Sequence, residues 1–283
     1  MSTALIHTIA DIRDAIQLAR RSGATVGFVP TMGALHAGHG VLMQEARRHS
    51  GVVVVSVFVN PLQFDRADDY ERYPRTLETD LAFCRAQGVD LLFAPSGAEM
   101  YATPQLTFVE TPGLSGSLCG QFRPGHFRGM ATVVNKLFNI VQPDAAYFGE
   151  KDAQQLAVIK RMVSDLNMPV AIEAVPTVRE ADGLAMSSRN RRLSPEERRD
   201  APVLYQALLA ASSAIRQGVS EADAVKAAAL AVLQGVPRLR VEYLEVVDDA
   251  IQQPVERIEG PVRVSLAAWL GETRLIDNVF AIP

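Results

Sequence analysis

Apolar positions along the chain fall into two alternating rhythms. Ile9, Ile12, Ile16 and Ala19 recur at helical spacing behind Thr8, which can cap the helix with Asp11 three positions on; Gly23 marks the stop. Thr25 to Val29 reads as a strand that runs into a turn at Pro30 to Gly33, and a helix follows over about 40–49. Val52 to Val59 is a β-branched run broken only by Ser56, which suits a parallel strand buried on both faces. Asp65 to Arg75 is polar and turn-rich. A helix then reads from Thr76 to Gln87 with Gly88 as its stop, followed by strands over Val89–Ala94 and Leu106–Glu110. Residues 111–126 hold six glycines or prolines and read as a loop or mobile flap. Helical spacing returns from Phe127 to Val141, then a strand over Ala145–Phe148, a helix to about Asn167 and a strand over Val170–Val175. Strands that alternate with helices predict an α/β fold with a doubly wound parallel sheet.

The pattern changes after Pro176. Glu180 to Asn190 is small and polar, as a mobile loop would be. Ser194, Pro195 and Glu197 are the N-cap, N1 and N3 residues of a helix start. Two Ala-rich helices follow, to about Gln217 and over Ser220–Gln234, then strands over Val241–Val247 and Val262–Leu270. We therefore expect one domain over residues 1–176 and a smaller α+β domain over 177–283.

Candidate chemistry gathers at the strand ends. The strand at 25–29, the turn with Gly33, and the helix entered through His36, Gly38 and His39 have the order of a phosphate site. There, free backbone N–H groups and the positive helix end point at one spot. Neither a G-x-x-x-x-G-K-[ST] loop nor a complete dinucleotide fingerprint is present, since position 43 is Met. Asn60 to Phe64 lies beyond the carboxyl end of a buried strand, where open α/β sheets place ligands. Gln63 there offers both a donor and acceptors, and a solvated loop amide is the competing reading. Gly149 to Asp152 repeats the strand–glycine–helix order with a cation, Lys151, and Gln155 follows at helical spacing; an exposed Lys–Asp pair is the alternative. Ser187, Ser188 and Arg189 have the chemistry of a phosphate clamp.

Composition narrows the class. With 283 residues, 48% hydrophobic and 21% charged, the chain reads as a soluble globular protein. The 28 basic and 32 acidic side chains give a formal charge of −4, which argues against a general nucleic-acid binder. Two distant cysteines, Cys84 and Cys119, make neither a disulfide framework nor a zinc-spaced pair, so a reducing cytosol is expected. Met1 to Ile16 does not read as a signal peptide, and no apolar run is long enough to span a bilayer.

Six stretches in order complete the picture: Pro30–His39, Phe58–Phe64, Arg72–Thr76, Arg123–Gly129, Phe148–Asp152 and Ala185–Asn190. Together they resemble the pantothenate synthetase (pantoate–β-alanine ligase) family, within the His-x-Gly-His nucleotidyltransferase superfamily. Gly40 and Ala153 depart from the family's usual residues, and neither removes a polar group. The resemblance implies a Rossmann-like domain with a C-terminal lid domain, a cytoplasmic homodimer, and ATP as co-substrate with Mg²⁺. It implies that pantoate and ATP give a pantoyl-adenylate and pyrophosphate, and that β-alanine then displaces AMP. No nucleic acid or membrane partner is implied. The residues it assigns to ATP are Met32, Gly33, Ala34, Leu35, His36, Ala37, Gly38 and His39, then Gly149, Glu150, Lys151 and Asp152, and then Val178, Met186, Ser187, Ser188 and Arg189. Gln63, Gln155 and Asn60 are the substrate residues, and His39, His36, Lys151 and Arg189 the catalytic group. His39 serves either as a proton donor or as a donor of charge-stabilising hydrogen bonds. The competing functions are an aminoacyl-tRNA synthetase-like ligase, which would need more chain and a tRNA surface, and a non-catalytic nucleotide-binding regulator.

Overall fold

The computed structural model describes residues 3–283, which divide into two compact units. The first comprises residues up to 111, 123–150 and 158–176; the second comprises 112–122, 151–157 and 177–283. A simple boundary at 176/177 therefore leaves two segments of the second unit, 112–122 and 151–157, on the other side.

The first unit is built on β1 (Ala4–Ile6), α1 (Ile9–Arg21), β2 (Val26–Thr31), α2 (Ala37–His49), β3 (Val52–Val57), α3 (Ala67–Glu71), α4 (Leu77–Ala86), β4 (Leu91–Phe93) and α5 (Gly97–Met100). Past the short helices α6 (Pro112–Ser115) and α7 (Cys119–Phe122), it continues with α8 (His126–Val141), β5 (Ala145–Gly149), α9 (Ala153–Asp165), of which residues 153–157 fall in the second unit, and β6 (Ala171–Val175). The six strands pair in the order β1-β4-β3-β2-β5-β6, all parallel. Thr8 caps α1 as expected, accepting from the Asp11 N–H. Alternation along β2 sends successive side chains to opposite faces. Phe28 meets Phe138 of α8 edge-on, whereas Val29 joins Met43 and Ala46 of α2 and Cys84 of α4. Helices thus cover both faces of the sheet, and the expected doubly wound α/β architecture is the observed one.

Several elements depart from expectation. β1 is an unpredicted three-residue edge strand. β2 continues through Pro30 to Thr31; its pairing with β5 involves only Gly27 and Phe28, so that neighbour does not require the N–H that Pro30 lacks. Leu106–Glu110 is not a strand: Leu106 is 90% exposed, and the Val109 N–H donates to Thr132 Oγ1 rather than to a ladder. A short helix, α3, interrupts the turn-rich stretch 65–75.

The second unit adds α10 (Pro195–Asp200), α11 (Val203–Arg216), α12 (Ala222–Leu233), β7 (Leu239–Asp248), β8 (Val262–Leu270) and β9 (Thr273–Ala281). The α10 start is a capping box, Ser194 with Glu197, as the sequence predicts. The antiparallel β7-β8-β9 sheet packs Val264, Leu266 and Leu275 against Leu204, Leu208 and Val225. The sequence reading lacks β9. The two-residue turn that creates it places Gly271 at φ 54°, and an added Cβ would meet Glu197 Oε1 at 2.1 Å.

Two segments expected to be mobile are tied down. In 111–126, Leu114, Leu118 and Cys119 are buried. The Gln154 amide donates to the Leu114 and Ser117 carbonyls (2.9 and 2.8 Å) and accepts from the Cys119 N–H (3.1 Å). In 180–190, Glu180 and Leu184 close a turn through the Glu180 N–H at 2.8 Å, and Arg198 bonds both Glu180 and Asp182.

Candidate active site

In the first unit the strand–turn–helix keeps its order, but its backbone donors are not free. Gly33 (φ 86°) and Ala34 (φ 52°) turn the chain sharply between β2 and α2. The Gly33 N–H donates to Thr31 Oγ1 at 3.1 Å. Those of Ala34 and Leu35 donate to the two carboxylate oxygens of Asp80, at 3.1 and 2.8 Å, and Thr76 Oγ1 donates to the same group. Asp80 is 1% exposed, so this buried carboxylate on α4 consumes the donors that the sequence reading offers to phosphate. The turn is a rigid support rather than an open cradle. The sequence reading misses Asp80. The available signal is an acid on the apolar stripe of Leu77, Leu81 and Cys84.

His36 and His39 sit on that support as the N-cap and N3 residues of α2, their ring centroids 4.0 Å apart. The His36 backbone N–H donates to His39 Nδ1 at 3.3 Å. A ring nitrogen that accepts carries no proton, so neutral His39 holds its proton on Nε2 and presents a donor there. Gly40, buried one residue later, packs against α4; an added Cβ would come within 3.2–3.3 Å of Phe83 and Gln87.

The strand-end amides are fixed as firmly. Asn60 is 0% exposed. Its Nδ2 donates to Gln63 Oε1 and to the Gly129 carbonyl, both at 3.1 Å, while Oδ1 accepts from the Leu62 N–H and from the Tyr101 hydroxyl at 2.8 Å. A flipped amide would set donor against donor, so the partners define the orientation. Burial raises the Tyr101 phenol to about 12, which keeps it a donor at neutral pH. With Oε1 engaged by Asn60, Gln63 turns its Nε2 toward Met32, whose sulfur accepts at 3.0 Å. Below it, the Gln63 carbonyl accepts from His126 Nδ1 at 2.7 Å, and Arg123 pairs with Asp65 at 2.9 Å. Burial pushes the Asp65 carboxyl up, but the Arg123 hydrogen bond and charge outweigh it and leave it below its ordinary value. Gly129 lets α8 come this close: an added Cβ would lie 2.0 Å from the Leu62 carbonyl oxygen and 2.6 Å from the Gln63 nitrogen.

In the second unit, Lys151 lies in a 3₁₀ turn with its Nζ 3.7 Å from Asp152, and its side chain is mostly buried. It lines one pocket with Ser187, Arg189, Asn190, Arg274 and Asp277. Val178 and Met186, distant in sequence, are joined by a backbone hydrogen bond of 2.9 Å. Ser187 caps the 3₁₀ turn Ser188–Arg192 by accepting from the Arg189 N–H. Gln155 is half-buried beside the fully committed Gln154. The structure thus gathers the first set of predicted residues, Met32–His39 with Asn60 and Gln63, within the first unit. Lys151, Asp152, Gln155, Val178 and Met186–Arg189 belong to the second.

The comparisons agree with one another. The pantoate-beta-alanine ligase family model matches residues 4–280. The pantothenate synthetase of Moorella thermoacetica is 52% identical over 275 residues, 97% of each chain. The crystal structure of pantothenate synthetase from Thermus thermophilus superposes with a TM-score of 0.93 at 49% identity over 100% of both chains. The Francisella tularensis pantoate-beta-alanine ligase, solved complexed with beta-gamma ATP and β-alanine, gives 0.82 at 33% identity over 98% of this chain and 97% of that one. The chain therefore belongs to the pantoate–β-alanine ligase family, the enzymes that form pantothenate from pantoate and β-alanine.

Proposed function

We propose that the chain activates (R)-pantoate with ATP as an enzyme-bound pantoyl-adenylate. A pantoate carboxylate oxygen attacks the α-phosphorus, the bond to the β-phosphate oxygen breaks, and pyrophosphate leaves. The β-alanine amine then attacks the acyl carbon, AMP departs with the bonding pair, and the nitrogen sheds a proton as the amide of pantothenate forms. This reaction belongs to coenzyme A precursor biosynthesis.

The observation that carries this reading is the fixed histidine pair. Charge builds on phosphoryl oxygens in the first step, so preorganised donors are what it needs. His39 supplies Nε2–H from a ring already oriented by the His36 backbone. It serves as a donor of charge-stabilising hydrogen bonds and need not surrender its proton. His36, Lys151 and Arg189 complete the catalytic group. The other ATP residues are Met32, Gly33, Ala34, Leu35, Ala37 and Gly38, with Gly149, Glu150, Asp152, Val178, Met186, Ser187 and Ser188. Gln63 and Gln155 hold pantoate. Gln63 offers its Nε2 to a pantoate oxygen, and Asn60 acts by orienting Gln63, since its own polar atoms are spent on protein partners.

Magnesium accompanies ATP in this reading. Among the described residues no group of three or more His, Cys, Asp or Glu could hold a metal ion. That fits an ion whose ligands come mostly from phosphates and water, with one or two carboxylates. Glu150 and Asp152, the latter 46% exposed beside Lys151, are the carboxylates of the same turn. When bound, magnesium would neutralise phosphate charge. We also propose a homodimer, a cytoplasmic setting, and residues 177–283 as a lid domain over the 1–176 nucleotide- and pantoate-binding domain. Among the described residues no helix is long and apolar enough to cross a membrane.

The test is AMP release from ATP with pantoate and β-alanine each omitted in turn. Sustained AMP release is expected only with both present. Release that depends on another amino acid, with pantoate inert, would support the aminoacyl-tRNA synthetase-like reading instead.

A further inference from the structure

Two neighbouring residues in the middle of β9, Asp277 and Asn278, are both buried and polar. Neither is among the residues assigned to ATP or pantoate, although Asp277 borders the pocket of Lys151, Ser187 and Arg189, and burying them is costly unless every polar atom is paired. Their partners are specific. Asp277 takes both guanidinium arms of Arg179, at 2.6 and 3.0 Å. That guanidinium also donates to the Gly183 carbonyl and lies 3.7 Å over the Tyr205 ring. Arg179 bridges to Ala185 inside the hairpin that joins Val178 to Met186. Asn278 reaches elsewhere: its Nδ2 donates to the Lys151 carbonyl at 2.9 Å, and its Oδ1 accepts from Arg263 at 2.7 Å, itself held by Asp249 at 2.6 Å.

We propose that Asp277 and Asn278 are positioning residues for nucleotide binding, one dipeptide that sets both the Lys151 turn and the 178–186 hairpin. The inference rests on the assignment of Lys151, Val178 and Met186 to ATP. It explains why β9 buries two adjacent polar side chains at mid-strand. A single strand ties together segments that lie far apart in sequence, so their donors keep a fixed spacing before the nucleotide arrives. Such preorganisation lowers the cost of binding without touching the ligand.

Asn278→Asp separates this role from simple stability. The Asp keeps an acceptor for Arg263 but faces the Lys151 carbonyl with an oxygen, so the Arg263 contact survives and the Lys151 tie is lost. Asp277→Asn weakens the other arm, and Asn278→Ala removes the bonds to the Lys151 carbonyl and to Arg263 without adding a charge. ATP, pantoate and β-alanine are varied separately in steady-state assays of the full chain, with thermal unfolding alongside. We expect Asn278→Asp and Asp277→Asn to raise the KM for ATP about tenfold and to leave that for pantoate within about twofold, consistent with a lost hydrogen bond. Lys151→Ala is the control. If it leaves ATP kinetics unchanged, the nucleotide assignment fails. If it weakens ATP while Asn278→Asp keeps a wild-type KM for ATP, the positioning role fails. Equal rises in all three KM values would also overturn it. Should Asn278→Asp not fold, Asn278→Ala is judged by the same criterion.

Discussion

The two glycine turns at strand ends look alike in sequence and behave differently in structure. After β2, Gly33 has φ 86°, and an added Cβ would lie 2.9 Å from Val57 Cγ1 and 3.0 Å from Asp80 Oδ2. At the end of β5, Gly149 has no positive φ, and an added Cβ would meet nothing within 4 Å. The first turn is over-determined: its N–H groups are claimed by Thr31 and Asp80, and its glycine is obligatory. The second enters a 3₁₀ turn whose Lys151 carbonyl is held from β9. A shared strand–glycine–helix order therefore does not imply a shared mechanism of rigidity. In one case a buried carboxylate braces the turn from beneath; in the other a distant strand holds it.

Substitutions can break or sharpen that contrast. The largest effect is expected for His39→Ala on the braced turn, with adenylation slowed roughly 10²–10⁴-fold in a protein that still folds. Single-turnover measurement of adenylate formation checks it, and a near-wild-type rate would remove His39 from the mechanism. Next comes Asp80→Ala. It strands two buried backbone N–H groups, each worth about 1–3 kcal/mol, so urea unfolding should show a loss of about 3 kcal/mol. Gly33→Ala follows at about 2 kcal/mol for left-handed backbone strain plus crowding. Gly149→Ala is the matched control and should change stability by no more than about 1 kcal/mol, in either direction. Equal losses at Gly33 and Gly149 would erase the contrast. The smallest effect is one of pH. Asp65 is held below its ordinary value of 3.8, so its pairing stabilises the fold above that value and the contribution fades as pH falls through the lower folded value. Asp65→Asn should therefore be less stable than the parent near neutrality and converge on it as pH falls through the acid range, giving a flatter pH dependence there.

Much of the parallel sheet is legible because buried strands read as apolar runs and their helices carry caps. Thr8, Ser194 and Glu197 act as their positions predict. What escapes is what local pattern does not encode. β1 is three residues long, too short for any period, and β9 hides because Asp277 and Asn278 break its alternation to serve partners elsewhere in the chain. Leu106–Glu110 has strand composition but joins neither sheet, and its Val109 N–H goes to a helix side chain instead. The histidines and Gln63 can be located from the sequence. Their supports cannot, because Asp80 lies 41 positions or more from either histidine, and Gly129 is separated from Gln63 by several elements. Only the folded chain shows that the turn's N–H groups are already spent.

The central claim is that carboxylate activation precedes amide formation. Exchange of labelled pyrophosphate into ATP, with pantoate present and β-alanine omitted, tests it most directly. The account predicts exchange that requires pantoate and is sharply reduced in His39→Ala. If pyrophosphate exchanges only when β-alanine is also present, or exchanges equally without pantoate, a pantoyl-adenylate formed ahead of the amine is contradicted.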